Sequence, residues 1–255
     1  MPLFDALILG IVEGITEFLP ISSTGHLILT NSLLGIPVTE FTKSFEIIIQ
    51  LGAMCAVLAL YLRSFFDIEI IKRLIVGFIP TGIVGFTVYP FVKAFLLGNP
   101  LVVVIALFVG GIALILFEML HITPDESRGD IRTMPYSRAA LIGLVQSVAV
   151  IPGISRSAAT IVGGLSFRMP RAAIVEFSFL LAVPTIAAAT GLDLLKSYSS
   201  FHLSDFVPLF VGFVVSFLVA LVSLRYLLHY VRNHTFIAFG VYRIVIAIAF
   251  FFFVI

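Results

Sequence analysis

Residues Glu13 to His26 read E-G-I-T-E-F-L-P-I-S-S-T-G-H, inside an N-terminal run that is otherwise almost wholly apolar. Ionisable groups in such a run are costly to bury and mark functional positions. Glu13 and Glu17 stand four apart, so on a helix their carboxylates share one face roughly 5–6 Å apart. Two like charges this close repel, so one carboxyl keeps a proton or a hard cation lies between them. A ligand set made only of oxygens favours Mg²⁺ or Ca²⁺ over zinc. Ser22, Ser23 and Thr24 add hydroxyl donors, Gly25 follows, and His26 exchanges a proton near neutral pH. A second polar stretch, Pro152 to Thr160, reads P-G-I-S-R-S-A-A-T. Arg156 falls there in the first turn of a buried helix, where the helix dipole disfavours a cation. A guanidinium so placed needs an anion, either the Glu13/Glu17 pair or phosphate oxygens met in a fork.

The elements around these stretches follow from hydropathy and punctuation. Pro20 stops a helix over 3–19, and Ser22 or Ser23 can cap a short helix running to Leu34, too short to cross a bilayer. A re-entrant pair over 3–34 is the economical reading, because broken backbone at membrane depth is tolerated where it lines a polar cavity. One ordinary span followed by an interfacial helix is the bland alternative. Spans are expected at 44–62, 70–93 and 100–120, then a polar linker at 121–138 with no chemistry assigned. The pattern then restarts. Ala140 to Ser157 loosely matches Ala6 to Ser23, and at a constant offset of 133 Gly10 falls on Gly143 and Glu13 on Gln146. A second re-entrant pair over 139–167 and spans at 171–193, 205–228 and 236–255 complete the chain. The expected fold is an all-α polytopic membrane protein of two repeats, 1–120 and 139–255. Each repeat is a re-entrant pair plus three transmembrane helices, so the odd span count inverts the second against the first. Inverted repeats place sites near the midplane at the repeat interface, with two helix N-termini facing an anion.

Composition sets the broader bounds. The chain has 255 residues, 60% hydrophobic and 11% charged, which requires a membrane. The opening M-P-L-F-D-A lacks a basic region and a small-residue cleavage site, so no removable signal peptide is expected. Cys55 is the single cysteine and excludes an internal disulfide. No basic run suggests nucleic acid. Ten cations (Arg63, Lys72, Arg73, Arg128, Arg132, Arg138, Arg168, Arg171, Arg225 and Arg232) fall on one side of this topology, against Lys43, Lys93 and Lys196 on the other. The richer side is cytoplasmic, so both termini and the mouth of the first pair face outward.

The two loop motifs, with F-E-I-I-I-Q-L-G-A at Phe45–Ala53 and the Tyr242–Arg243 pair, resemble the undecaprenyl-diphosphate phosphatase family, also called the bacitracin-resistance family. The likeness covers the whole chain. It implies removal of the terminal phosphate from a polyprenyl diphosphate at the outer face of the plasma membrane, recycling a cell-wall lipid carrier with a divalent cation. Glu13 and Glu17 then become the pair that binds cation or assists proton transfer, Ser23 the nucleophile and His26 an acid–base group. Arg156 becomes the phosphate clamp, with Ser22, Thr24, Gly25, Ser155, Ser157 and Thr160 as substrate-binding neighbours. Glu46, Gln50 and Arg243 are outer candidates. Ser22 or an activated water stays open as nucleophile, and a homodimer stays open as assembly. A polyprenyl phosphate transporter using the same site is the competing reading, since inverted repeats with broken helices are above all a transporter architecture.

Overall fold

The computed structural model describes residues 1–96, 99–120, 130–197 and 205–254. Ten α-helices account for most of it: α1 Leu3–Thr16, α2 Ser23–Leu34, α3 Glu40–Tyr61, α4 Ile68–Phe95, α5 Pro100–Leu120, α6 Tyr136–Gln146, α7 Arg156–Ser166, α8 Arg171–Ser197, α9 Phe206–Val231 and α10 Ile237–Val254. No strand occurs among the described residues. Five of them form helices long and apolar enough to cross a membrane, at Glu40–Phe66, Ile68–Val88, Pro100–Leu120, Arg171–Leu195 and Phe206–Val231. The protein is a multi-pass membrane protein. Large apolar side chains such as Phe86, Leu120 and Phe253 stand exposed on its outer surface, as lipid-facing positions must.

Several helix ends move from their expected places for local reasons. Helix α1 stops at Thr16 rather than 19, and turns carry the chain through 17–21. Pro20 keeps Leu19 out of the helical region, so the chain leaves the helix a turn early. Helix α3 starts at Glu40 because Thr39 and Thr42 form a reciprocal capping box. Helix α6 hands over to a 3-10 segment, Ser147–Val150, before the second loop. The expected linker lies partly outside the described residues, at 121–129. Its described end packs inward, with Ile131 and Met134 in the core.

The packing is set by glycine crossings. On α1, a Cβ at Gly10 would sit 2.7 Å from the Gly212 carbonyl of α9. On α6, a Cβ at Gly143 would overlap the Gly77 carbonyl of α4. On α5 and α10, Gly111 and Gly240 face each other, each Cβ position 2.7–2.8 Å from the other's carbonyl. Each crossing exists because only a missing side chain lets two backbones approach so closely. Helices α3 and α8 also pack together, α3 contacts α9, and α8 contacts α4.

Polar contacts tie the helix ends into two groups. Arg132 pairs with Asp67 at 2.8 Å, and Arg73 Nε donates to Met134 O at 2.6 Å. Glu118 pairs with Arg171 and accepts the Phe236 N–H at 2.9 Å. At the other end Ser44 donates to Asp193 at 2.9 Å. Arg128 and the side chains of Lys93 and Lys196 lie outside the described residues.

Candidate active site

The turn between α1 and α2 brings its acids and hydroxyls onto one another. Glu17 closes α1, with its N–H on the Glu13 carbonyl at 3.0 Å. Ser23 opens α2, and its Oγ donates to Glu17 Oε2 at 2.6 Å. Arg156, at the start of α7, donates through Nη2 to Glu17 Oε1 at 2.9 Å and through Nη1 to the Ser178 carbonyl at 2.9 Å. One carboxylate therefore holds a hydroxyl from one loop and a guanidinium from the other. Glu13 is fully buried beside it, within electrostatic reach of Glu17, Glu46 and Arg156, with its carboxyl facing that of Glu17 and no donor group on either of its oxygens. A buried carboxyl left so must hold a proton or meet a cation.

Ser22 takes a different place from Ser23. It is the N-cap residue of α2 with φ of 71°, and its side chain caps nothing; Ser23 Oγ is engaged by Glu17, so neither serine caps the helix as expected. Its carbonyl instead accepts His26 Nδ1 at 2.8 Å. The other imidazole nitrogen, Nε2, lies 2.9 Å from the Tyr242 hydroxyl, and the two rings stack. Because a carbonyl only accepts, Nδ1 carries a proton, and in the neutral ring Nε2 accepts from Tyr242. The structure thus joins His26 to α10 and not to Ser23. Thr24 is half-buried, and Gly25 packs against Leu107 and Val103 of α5.

The second loop docks on the first through hydroxyls. Ser157 donates to the Leu19 carbonyl at 2.9 Å and Ser155 to the same carbonyl at 3.5 Å. Ser155 also caps α7 by accepting the Ala158 N–H at 3.2 Å. Thr160 faces elsewhere, donating to Gln146 at 2.9 Å, and Gln146 donates to Thr81 at 3.0 Å. The position matching Glu13 in the second half is thus a neutral, hydrogen-bonded amide. Glu46 accepts from Asn31, and Gln50 is half-buried one turn further along α3. Asn31, Ser178 and the hydroxyl of Tyr242 were not singled out from sequence. Only Tyr242 carried a signal, through its place beside Arg243.

Similarity to known proteins follows this geometry over the whole chain. A family model described as bacitracin resistance protein BacA matches residues 6–249. The chain belongs to the BacA family. Among curated BacA-type relatives, the undecaprenyl-diphosphatase of Sulfurihydrogenibium sp. (strain YO3AOP1) is 51% identical over 251 residues, covering 98% of this chain and 99% of the relative. The undecaprenyl-diphosphatase of Aquifex aeolicus is 51% identical over 248 residues, 97% of this chain and 96% of its own. That of Thermus thermophilus is 45% identical over 254 residues, 98% and 97% of the two chains. The match to the BacA model takes in both loops and most of the last helix, so every contact described above lies inside it.

Proposed function

We propose that this chain is an integral membrane phosphatase that hydrolyses undecaprenyl diphosphate, or a closely similar polyprenyl diphosphate, to the monophosphate and phosphate. Its relatives' names support the substrate. The observation that carries the chemistry is Glu17, shared between the Ser23 hydroxyl and the Arg156 guanidinium. Ser23 is the nucleophile in this reading. Glu17 takes the Ser23 proton as Oγ attacks the terminal phosphorus, and the bond to the bridging oxygen breaks. Polyprenyl monophosphate leaves with that oxygen, and the phosphoryl group stays on Ser23. Water then attacks the phosphoserine and the Ser23 O–P bond breaks; Glu17 returns its proton to Ser23 Oγ, and the water's proton leaves on the released phosphate. Arg156 leaves Glu17 to meet the phosphoryl oxygens in a fork, so the ion pair is its resting state. His26 and Tyr242 hold the turn at Ser22 while these groups react.

A hard divalent cation, Mg²⁺ or Ca²⁺, fits the donor set. Glu13 presents two buried oxygens without partners beside Glu17, and all nearby donors are oxygens. Among the described residues no group of three His, Cys, Asp or Glu side chains could hold a metal, so in this reading the protein offers two carboxylates and substrate oxygens would supply the remaining ligands. Glu13 and Glu17 would hold the ion, which when bound neutralises diphosphate charge.

The same reading places the site between inverted repeats. Support comes from the exchanged glycine crossings, Gly10 on Gly212 and Gly143 on Gly77, and from the reciprocal contact of Gly111 with Gly240. In this arrangement α1–α2 and α6–α7 are re-entrant pairs, and α10 is the sixth span. The cation-rich end, with Arg73, Arg132 and Arg171, faces the cytoplasm, and both termini and the first loop's mouth face outward at the plasma membrane.

Phosphate release by purified protein in detergent, from a short polyprenyl diphosphate with and without chelator, tests the function. Detergent abolishes the two compartments, so a pure transporter releases no phosphate. Release that chelator suppresses is expected. No release from folded protein would overturn the reading.

A further inference from the structure

Arg243 lies inside α10 with 1% of its surface exposed and is in no ion pair among the described residues. Backbone carbonyls surround it instead. Nη2 donates to Ala106 O at 3.0 Å and to Gly153 O at 3.2 Å, Nη1 to Pro20 O at 3.3 Å and Nε to Leu107 O at 3.4 Å. Two acceptors belong to α5, one to the first loop and one to the second. A buried cation persists when such dipoles replace its water, but an apolar side chain would fill the space without that desolvation cost. What the guanidinium adds is a planar set of donors that reaches three separate pieces of backbone at once.

The neighbouring elements are cut to admit it. A Cβ at Gly110 of α5 would overlap Arg243 Nη2 and fall 2.9 Å from its Cζ. Gly110 is therefore the opening through which the guanidinium passes. Gly153 has φ of 90°, and a Cβ there would lie 2.8 Å from Val103 O and 2.9 Å from the Ala106 Cβ. The second loop thus lies flat on α5, with its carbonyl turned to Arg243. Pro20 is three residues before Ser23, and Gly153 three before Arg156.

We propose that Arg243 is a positioning residue for the phosphatase reaction. It fixes the backbone of both loops against α5 and so sets the spacing between the Ser23 nucleophile and the Arg156 clamp. This inference rests on the phosphatase reading above. Lysine cannot replace it, because a point charge on a flexible stem does not span acceptors on three elements. Alanine at Gly110 keeps the guanidinium but displaces it from Ala106 and Gly153.

Arg243→Lys and Gly110→Ala, purified and assayed for phosphate release alongside thermal unfolding, test the proposal. Both should lower kcat by on the order of 10²-fold, the cost of a misplacement near 1 Å, with KM within about threefold. Both should keep a cooperative unfolding transition. Gly85→Ala on α4, where a Cβ meets nothing within 4 Å, should keep wild-type kinetics. Wild-type kcat in either folded variant would overturn the proposal, and if Arg243→Lys fails to fold, Gly110→Ala decides alone. Loss of the folded state in both would assign Arg243 to structure only and also overturn it. A wild-type protein that releases no phosphate would instead remove the underlying reading, so the two failures are separable.

Discussion

Glu13 and Glu17 are one helical turn apart and should respond oppositely to amidation. Glu17 balances the largely buried Arg156 guanidinium. Glu17→Gln leaves that charge unpaired, so stability should fall by about 3–5 kcal/mol along with nearly all turnover. Glu13 has two buried oxygens with no hydrogen-bond partner. Glu13→Gln removes a buried charge site, so thermal stability should stay level or rise while activity falls and its cation dependence flattens. Paired melting curves and phosphate-release assays across a cation titration check both. A Glu13→Gln protein that loses stability as Glu17→Gln does would show that Glu13 is held by the fold rather than kept for a ligand. Ser23→Ala should keep the fold and lose on the order of 10²-fold or more in turnover if Ser23 is the nucleophile. Little change would pass that role to water.

At the scale of elements, the glycine crossings carry a direct expectation. Gly143→Ala drives a methyl into the Gly77 carbonyl, backbone against backbone, and should cost about 1–3 kcal/mol or more in stability. Gly35→Ala meets nothing within 4 Å but sits at φ of 65° at the end of α2, so it should cost about 1 kcal/mol through strain alone. Chemical denaturation in detergent measures the difference between the two. These elements also show what was legible beforehand. The broken helices at Pro20 and Pro152 and the short helices after them could be read because proline and serine punctuate an apolar sequence. Gly10 and Gly143 could be aligned, but their partners, Gly212 and Gly77, could not be paired without coordinates. Ser23 and Ser22 looked equivalent in sequence. They separate only because Ser22 takes a left-handed φ and turns its carbonyl to His26. Arg243 was visible as a buried cation, but its acceptors are backbone carbonyls, which exist at every residue and leave no mark in a sequence.

At the scale of the whole molecule, the two halves of the chain meet at Glu17. The first half supplies Glu13, Glu17 and Ser23, while the second supplies Arg156, Tyr242 and Arg243. The proposed orientation rests on the cation distribution. In a Cys55→Ser background, a cysteine at the exposed Val38 should react with an impermeant maleimide from outside, and one at Arg132 should not. The reverse pattern would turn the site inward. The central claim is that Arg156 holds substrate phosphate and pairs with Glu17 only at rest. Lysine at 156 keeps the charge and can still pair with Glu17, but it cannot make the planar two-pronged contact with phosphoryl oxygens. The most direct measurement is the turnover of purified Arg156→Lys on a short polyprenyl diphosphate, read beside its melting temperature. The account predicts near-normal stability and turnover reduced on the order of 10²–10³-fold. Near-normal turnover in a well-folded Arg156→Lys protein would contradict it and leave Arg156 as a structural partner of Glu17.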